Sequence, residues 1–375
     1  MTAASYLDHN ATTPMLESVV DAMVDAMRHA GNPSSVHRFG RAARRMVDAA
    51  REQVAAAVNA KAADVVFTGS GTEANNLALQ GASRGAVLAS AIEHDSVLRA
   101  SDGIVTIPVR RDGRIDLDAL ERLLAEHRPA LVSVMLANNE TGVIQPVAEA
   151  SRLSKAAGAL VHCDAIQALG RIDVDVEALG ADLLSLSAHK IGGPQGVGAL
   201  IVRENVTLQP IMAGGGQERR RRPGTENIAG IVGFGVATKH ASDHLNDSAA
   251  LAGLRDAAQS RLTAMAPTAS VFGAGAPRLP NTLCIEMPGV GSEAQVMAFD
   301  IAGIAISAGS ACSSGKMSAS HVLRAMGVDD ASSSCAIRVS FGRGNSMADV
   351  DRLAQAWGAL LARRGVNRNW HVTAA

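Results

Sequence analysis

The chain has 375 residues, of which 47% are hydrophobic and 19% charged, and its formal net charge is −1. This length is sufficient for a large core in one or two domains. The near-neutral charge provides no overall field for nucleic acid or an anionic membrane surface, so direct binding to either is not expected. The beginning of the chain lacks a secretory signal pattern, and no apolar run is long enough to span a bilayer, which favours a cytoplasmic location.

Hydrophobic periodicity predicts two helices first, over residues 16–27 and 38–58. Short apolar runs that predict buried strands then alternate with helical stretches. Near-continuous apolar strands are typical of a sheet that helices cover on both faces, so the prediction is an α/β fold with a mostly parallel sheet. The predicted strands are residues 65–67, 86–88, 131–135, 160–163, 183–186 and 199–202.

A polar, alanine-rich helical segment follows at residues 241–265, and a turn-rich stretch rich in glycine and proline comes after it at 273–281. This change predicts passage into a second, smaller domain. We therefore expect a large domain over residues 15–250. The small domain would combine residues 1–14 with residues 251–375 and carry a cysteine-containing loop at about 307–320.

Lys190 follows an apolar strand-like run and precedes two glycines and a proline, which forbid a helix there. A lysine at a strand end beside Ser187 and His189 is suited to forming a Schiff base with a carbonyl cofactor. The alternative is a surface lysine in a turn.

The stretch 68–73 joins a predicted strand to a predicted helix through small residues, including Gly71 and Thr72. The N–H groups and dipole of a helix N-terminus favour an anion, so this loop predicts a phosphate site. It matches neither the dinucleotide nor the nucleoside triphosphate fingerprint. A tight turn without a ligand is the alternative.

Asp164 ends another predicted strand, where an acid could pair with a protonated pyridine nitrogen, and Gln167 follows it by about one helical turn. The alternative for Asp164 is a helix N-cap. His94 also follows a strand, at the sheet edge where α/β proteins bind ligands. Only 2% of the residues are aromatic, so His94 is the candidate to stack on a cofactor ring and to move protons.

The four cysteines form no CxxC pair, which argues against a zinc site or a disulfide framework. Cys312 lies among small residues, with Lys316 nearby to favour its thiolate, and this predicts an exposed, mobile nucleophile. Cys163, Cys284 and Cys335 are predicted to be packing residues. A helix over 321–326 is expected to begin at Ser318 or Ser320 and to stop at Gly327.

Two arginine-containing segments complete the set of candidates. Arg338 lies in a strand-like alternation at 336–341 and could bind a substrate carboxylate through two hydrogen bonds. The stretch 221–227 offers further donors for a phosphate. Either segment could instead supply ordinary salt-bridge partners.

Taken in order, these motifs resemble those of the NifS/IscS-like cysteine desulfurases, in the class V aminotransferase-like group. The matching segments extend over nearly the whole chain. One departure is Arg220, which stands where the resemblance suggests a small residue. The matching segments are residues 6–14, 31–37, 68–76, 92–94, 137–142, 162–167, 187–190, 224–227 and 309–314.

The resemblance implies a fold-type I homodimer that depends on pyridoxal phosphate and binds no catalytic metal. Lys190 would hold the cofactor covalently, Asp164 its pyridine nitrogen and Gln167 its ring hydroxyl. His94 would stack on the ring, with Asn139 beside it. The phosphate would be held by Gly71, Thr72, Ser187 and His189, and by Thr225 of the partner subunit. Asn32 and Arg338 would bind the substrate carboxylate.

The implied reaction removes sulfur from L-cysteine, giving L-alanine and a persulfide on Cys312, with Lys190 and His94 moving protons. The persulfide would serve a sulfur-acceptor protein, such as an iron–sulfur scaffold or a sulfur carrier, in cluster assembly, thio-cofactor synthesis or tRNA thiolation. A selenocysteine lyase or another class V enzyme would use the same Lys190, Asp164 and His94. A catalytically silent binding protein is the alternative from another class.

Overall fold

The computed structural model describes residues 4–82, 85–309 and 320–370. Helices and strands alternate along the first two thirds of the chain, as the hydrophobic pattern predicts. The strands are β1 Ser5–Tyr6, β2 Val65–Thr68, β3 Val87–Ser90, β4 Val105–Ile107, β5 Leu131–Ser133, β6 Leu160–Asp164, β7 Leu183–Ser187, β8 Gly198–Val202, β9 Thr282–Glu286, β10 Ile304–Ala305, β11 Ser307–Ala308 and β12 Ala336–Ser340. The helices are α1 Glu17–Met27, α2 Arg38–Ala56, α3 Gly71–Ala82, α4 Asp95–Leu98, α5 Leu117–His127, α6 Val147–Ala156, α7 Ile228–Asp243, α8 Ser248–Met265, α9 Ser292–Ile301, α10 His321–Ala325, α11 Asp330–Ser333 and α12 Met347–Trp370.

Seven strands form the main sheet in the order β2-β8-β7-β6-β5-β3-β4. Only β8 runs antiparallel to its neighbours, and the remaining pairs are parallel. This confirms the predicted α/β fold with a mostly parallel sheet. All six predicted strands are present. The sequence pattern missed β4, which lies at the sheet edge and is only partly buried, so its apolar signal is weak.

Helices cover both faces of this sheet. Successive residues of a strand point to opposite faces, so neighbouring residues of one strand pack against different helices. On β2, Phe67 packs in a cluster with residues of α2, α5 and α7, including Val54, Leu120 and Phe234. Its neighbour Val66 packs in another cluster with residues of α3. Burial on both faces explains why the strands have no polar alternation.

A three-stranded antiparallel sheet, β11-β12-β9, and the parallel pair β1-β10 form a second layer. Helices α8, α9 and α12 cover it, and Leu262, Phe299, Ile337 and Trp357 fill its core. Residue 250, the predicted domain boundary, falls inside α8. The proposed division at this residue stays a prediction.

The single helix expected over 241–265 differs from the structure, where α7 ends at Asp243 and α8 begins at Ser248. A short 3₁₀ turn over Leu245–Asp247 separates the two helices. Three of the four intervening residues, His244, Asn246 and Asp247, are polar and exposed, so no continuous apolar stripe holds this stretch in a helix. Within the described ranges, we find no helix with the length and apolar character needed to cross a membrane.

The loop before α7 contains three successive residues with left-handed backbone, at φ of 44° for Glu218, 56° for Arg219 and 66° for Arg220. Left-handed conformation is costly for any residue with a Cβ, so the surroundings must enforce it. Arg51 binds the buried Glu218 carboxylate through two hydrogen bonds of 2.7 and 2.8 Å. Glu218 Oε2 also accepts a hydrogen bond from the backbone of Phe67. This buried ion pair attaches the strained loop to the main sheet.

Candidate active site

A cavity of about 360 Å³ lies at the carboxyl ends of the parallel strands. Ligands of open α/β sheets bind at this edge, because the loops that follow the strands converge there. The cavity brings together predicted site residues from six separate segments of the chain. Those lining it are Gly71, Thr72, His94, Asn139, Asp164, Gln167, Ser187, His189, Lys190 and Arg338.

Three predicted residues are not in this lining. Asn32 and Thr225 are exposed, and Asn32 Oδ1 accepts a hydrogen bond from the Ser34 backbone instead. Cys312 lies outside the described residues, as do Lys316 and Ser318. The roles given to these residues stay predictions.

Lys190 is positioned by β7 and by the 3₁₀ turn Ala188–Lys190 that follows it. Gly192, at φ of 80°, turns the chain away just beyond it, in a conformation that favours glycine. Lys190 Nζ donates hydrogen bonds to the carbonyls of Asn10 at 2.6 Å and Ala11 at 2.8 Å. The amine is therefore held in the cavity by the N-terminal segment, a contact that the sequence analysis did not predict.

Asp164 is the last residue of β6 and is buried. Its Oδ1 accepts a hydrogen bond from the Ile166 N–H at 2.9 Å, and its Oδ2 accepts one from Asn75 Nδ2 at 2.8 Å. Burial raises the pKa of this carboxyl, while these two donors and the nearby His94 and Lys190 act in the opposite direction. No α-helix begins at Asp164, so Asp164 does not act as the N-cap of an α-helix.

His94 caps the short helix α4, and its Nδ1 accepts a hydrogen bond from the Ser96 N–H at 3.1 Å. In the neutral ring, the proton is consequently on Nε2. Ser96 Oγ also lies 2.8 Å from His94 Nδ1 and accepts a hydrogen bond from Asn75 Nδ2 at 2.9 Å. Asn75 thus connects His94, through Ser96, to Asp164.

Asn75 and Asn10 are the residues that sequence reasoning missed. Asn75 lies one helical turn after Gly71 on α3, within the matching segment 68–76, and this spacing places the two residues on the same face of the helix. Asn10 accepts hydrogen bonds at its carbonyl from Lys190 and from Gln167 Nε2 at 3.0 Å. Its own Nδ2 donates to the carbonyl of Asn139. Both asparagines hold predicted site residues in place.

His189 and Gly71 form part of the wall next to the N-terminus of α3. His189 Nδ1 lies 3.3 Å from Thr12 Oγ1, and burial lowers the pKa of its ring to about 4, so it is neutral near pH 7. A Cβ at Gly71 would lie 2.3 Å from Ile166 Cδ1 and 3.2 Å from Ser187 Cβ. Glycine is therefore required where α3 meets the cavity.

Arg338 lies on β12 of the second sheet and reaches the cavity from that side. Its Nη2 is 2.8 Å from Asp8 Oδ1, and its Nη1 donates to the Asn139 carbonyl at 3.1 Å. Its buried Nε has no hydrogen-bond partner among the described residues. The guanidinium is thus oriented by two fixed partners, and its Nε–H donor is not used within the described ranges.

The three cysteines expected to be packing residues are buried free thiols. Burial raises the pKa of Cys163 and of Cys284, and neighbouring carboxyl groups contribute to both shifts. A thiol with a raised pKa is a poor nucleophile at neutral pH. Cys163 and Cys284 are therefore unsuited to the role predicted for Cys312.

Comparison with known proteins gives consistent matches over almost the full length. The aminotransferase class-V family model matches residues 5–353. A cysteine desulfurase from Cereibacter sphaeroides is 43% identical over 365 residues, which is 93% of this chain and 94% of that protein. The structure of a NifS-like protein from Rickettsia africae superposes with a TM-score of 0.89 at 36% identity, covering 96% of this chain and 99% of the other.

A further similar structure is described as SspA in complex with cysteine, with a TM-score of 0.78 at 29% identity, covering 90% of this chain and 98% of the other. The residues that line the cavity run from Asn10 to Arg338, and all of them fall within the residues 5–353 that the family model matches. This chain therefore belongs to the aminotransferase class-V family, in the group of NifS-like and IscS-like cysteine desulfurases.

Proposed function

We propose that the chain is a cysteine desulfurase that uses pyridoxal phosphate, converts L-cysteine to L-alanine and leaves the sulfur as a persulfide on Cys312. The observation that carries this proposal is the cavity in which Lys190, Asp164, His94 and Arg338 converge. The group to which the chain belongs depends on pyridoxal phosphate, acts on cysteine and is typically dimeric. The thiols of the sequence favour a reducing compartment such as the cytoplasm.

The residues of the cavity fit the cofactor. The N-terminus of α3, with Gly71 and Thr72, meets Ser187 and His189, and this combination of N–H and side-chain donors suits a phosphate. Thr225 of a second subunit would add a further donor, in keeping with its exposure in this chain.

The remaining donors suit the ring of the cofactor. Asp164 is a buried carboxyl with two fixed hydrogen bonds, suited to a protonated pyridine nitrogen. Gln167 would contact the ring hydroxyl, His94 would stack on the ring, and Asn139 would lie beside it. When bound through Lys190, pyridoxal phosphate supplies an electron sink for the carbon atoms of the amino acid.

The substrate carboxylate would bind at Arg338, whose Nε lacks a partner among the described residues although it is buried. Asp8 and the Asn139 carbonyl hold the guanidinium in place, so binding requires little reorientation. Asn32 would assist at the same carboxylate. Because the Asn32 side chain is exposed in this chain, we place it at an interface with the second subunit.

Proton movements fall to Lys190 and His94. The Lys190 amine would remove the proton from Cα of L-cysteine, and Asn10 and Ala11 hold that amine within the cavity. His94 carries its proton on Nε2 in the neutral ring, since Nδ1 accepts from Ser96, so Nε2 would be the atom that exchanges a proton with the reactants.

Sulfur transfer would occur at Cys312. Its thiolate bonds to the substrate sulfur as the carbon–sulfur bond of the substrate breaks, and the proton lost by Cys312 is balanced by one gained at the product carbon. L-cysteine and the Cys312 thiol thus give L-alanine and a Cys312 persulfide. The sulfur atoms are oxidised and the carbon is reduced, so no external oxidant is needed. An acceptor protein, such as an iron–sulfur scaffold or a sulfur carrier, would then remove the outer sulfur.

The test measures alanine and sulfide from L-cysteine under reducing conditions, at equal cofactor occupancy, for wild type and Cys312→Ala. We expect the variant to keep the cofactor absorbance and to form neither product. Cys335→Ala, which removes a buried thiol, is the matched control and should retain activity. Equal alanine formation by Cys312→Ala and wild type would refute the persulfide mechanism.

A further inference from the structure

Glu140 is a buried acid that the reaction proposed above does not use. It lies in a turn beyond β5, where Asn138 Oδ1 accepts hydrogen bonds from the N–H groups of Glu140 and Thr141, each at 2.9 Å. Asn138 Nδ2 donates in turn to the Ile92 carbonyl at 3.1 Å. The backbone at residue 140 is therefore fixed against the strand ends that border the cavity.

The Glu140 carboxyl contacts both described residues that flank the segment 310–319. Ser320 Oγ donates a hydrogen bond of 2.6 Å to Glu140 Oε2, and both residues are buried. Gly309 lies against the same oxygen, since a Cβ at this position would be 2.7 Å from it. The segment between Gly309 and Ser320 contains Cys312.

The beginning of α10 is attached to the cavity wall at a second point. Ser320 Oγ caps this helix by accepting a hydrogen bond from the Leu323 N–H at 3.1 Å. The next residue, His321, donates from Nε2 to the Glu93 carbonyl at 2.9 Å, immediately before His94. Two polar contacts thus hold the residues after the Cys312 segment against the active site.

The charge of Glu140 is poised to change near neutral pH. Burial raises the pKa of its carboxyl to about 7, while the Ser320 hydroxyl and the positive charge of Arg338 oppose that rise. Cys284 on β9 is the other described titratable group that interacts with it, and Glu140 contributes to the raised pKa of that thiol. A hydrogen bond to an ionised acceptor is stronger than one to a neutral acceptor. Ionised Glu140 therefore binds Ser320 more firmly.

We propose that Glu140 is a positioning residue that, through its hydrogen bond to Ser320, holds the residue that follows the segment carrying Cys312 and so controls how Cys312 approaches the substrate sulfur. This inference rests on the proposed function. Glu140 acts through Ser320 and exchanges no proton with the substrate. The contact strengthens as the Glu140 carboxyl loses its proton.

The test follows persulfide formation on Cys312 in a single turnover of the cofactor-loaded enzyme, from about pH 6 to about pH 9. Glu140→Ala should slow this step by about tenfold at the alkaline end, which corresponds to one hydrogen bond to a charged group. Glu140→Gln retains an acceptor for Ser320 and should recover most of the rate. It should also lack the rise in rate through about pH 7 that we expect of wild type.

Glu286→Gln is the matched control, because Glu286 is a buried acid on β9 that does not line the cavity. It should keep the wild-type rate and pH profile. The second readout is the rate of Cys312 alkylation by iodoacetamide, which needs no turnover and should differ between wild type and Glu140→Ala. If Glu140→Ala fails to fold, the near-isosteric Glu140→Gln and its pH profile decide the question.

Two failures can be told apart in this experiment. If wild type forms alanine and all the Glu140 variants match it in persulfide rate, pH profile and alkylation, the positioning role is refuted. If wild type forms neither alanine nor persulfide, the proposed function fails. The alkylation rates of Cys312 then still show whether Glu140 positions its segment.

Discussion

Replacing Asn75 by alanine tests whether the polar network behind the cavity matters for catalysis. Asn75 is fully buried, and its amide donates to Asp164 Oδ2 at 2.8 Å and to Ser96 Oγ at 2.9 Å. The change leaves the Asp164 carboxylate with the Ile166 N–H but without the Asn75 donor, so the pKa of Asp164 should rise further.

The magnitude follows from the lost hydrogen bond to a charged acceptor, which contributes about 1.5–3 kcal/mol. If the ionised Asp164 carboxylate is needed against the cofactor, kcat/KM for L-cysteine should fall by about tenfold to a hundredfold. Cofactor affinity should also fall, because a neutral Asp164 attracts a protonated pyridine nitrogen less strongly.

The assay measures alanine formation at saturating pyridoxal phosphate, together with the dissociation constant of the cofactor. Asn76→Ala is the matched control on the same helix, since Asn76 donates to the backbone carbonyls of Thr72 and Ser96 and does not contact Asp164. An Asn75→Ala enzyme within twofold of wild type in both quantities would refute this reasoning.

Three further predictions concern stability. Arg220→Gly should raise Tm by about 1–2 °C, because glycine removes the left-handed strain at φ of 66°, and a lower Tm would contradict this. Glu140→Gln should become more stable relative to wild type as pH rises from about 5 to about 8.5. The native pKa of about 7 exceeds the ordinary 4.5, so the stability that the neutral acid provides is lost as pH rises through 7, up to about 3 kcal/mol. If urea unfolding gave the same difference in free energy of unfolding between Glu140→Gln and wild type at every pH, that explanation would be excluded. Arg51→Met should lower the free energy of unfolding by about 3–5 kcal/mol, since it leaves the Glu218 carboxylate buried without its partner, whereas a loss under about 1 kcal/mol would argue against it.

Local sequence patterns were sufficient for the fold class and for most of the cavity. The apolar runs predict buried strands because both faces of this sheet are covered. Residues such as Asp164 and Lys190 come directly after strands, and the carboxyl ends of parallel strands meet at one edge. Their convergence could therefore be expected from chain position alone.

The supporting contacts could not be predicted in this way. Lys190 and Asn10 are separated by 180 positions, Asn75 and Asp164 by 89, and Glu140 and Ser320 by 180. These pairs meet only after the main sheet, the second sheet and the N-terminal segment have packed together. No local periodicity reports such tertiary contacts.

For Arg338, too, the sequence predicted the residue but not its tertiary contacts. The sequence indicated a carboxylate-binding arginine, and the structure adds that Asp8, 330 positions away, already holds one of its nitrogens. An alternation of residues along a strand shows which side chains share a face, and it does not show their partners. Arg220 is a similar case. The sequence showed a large residue where a small one was expected, but it did not show that the backbone there is left-handed.

The most direct test of the account is the location of the sulfur after one turnover without reductant. Cofactor-loaded enzyme is mixed with L-cysteine, alanine is quantified, and peptides are examined by mass spectrometry. The account predicts about one alanine per active site and one extra sulfur atom on the Cys312 peptide, with none on the peptides of the buried cysteines. Alanine formed while the Cys312 peptide remains unmodified would contradict it.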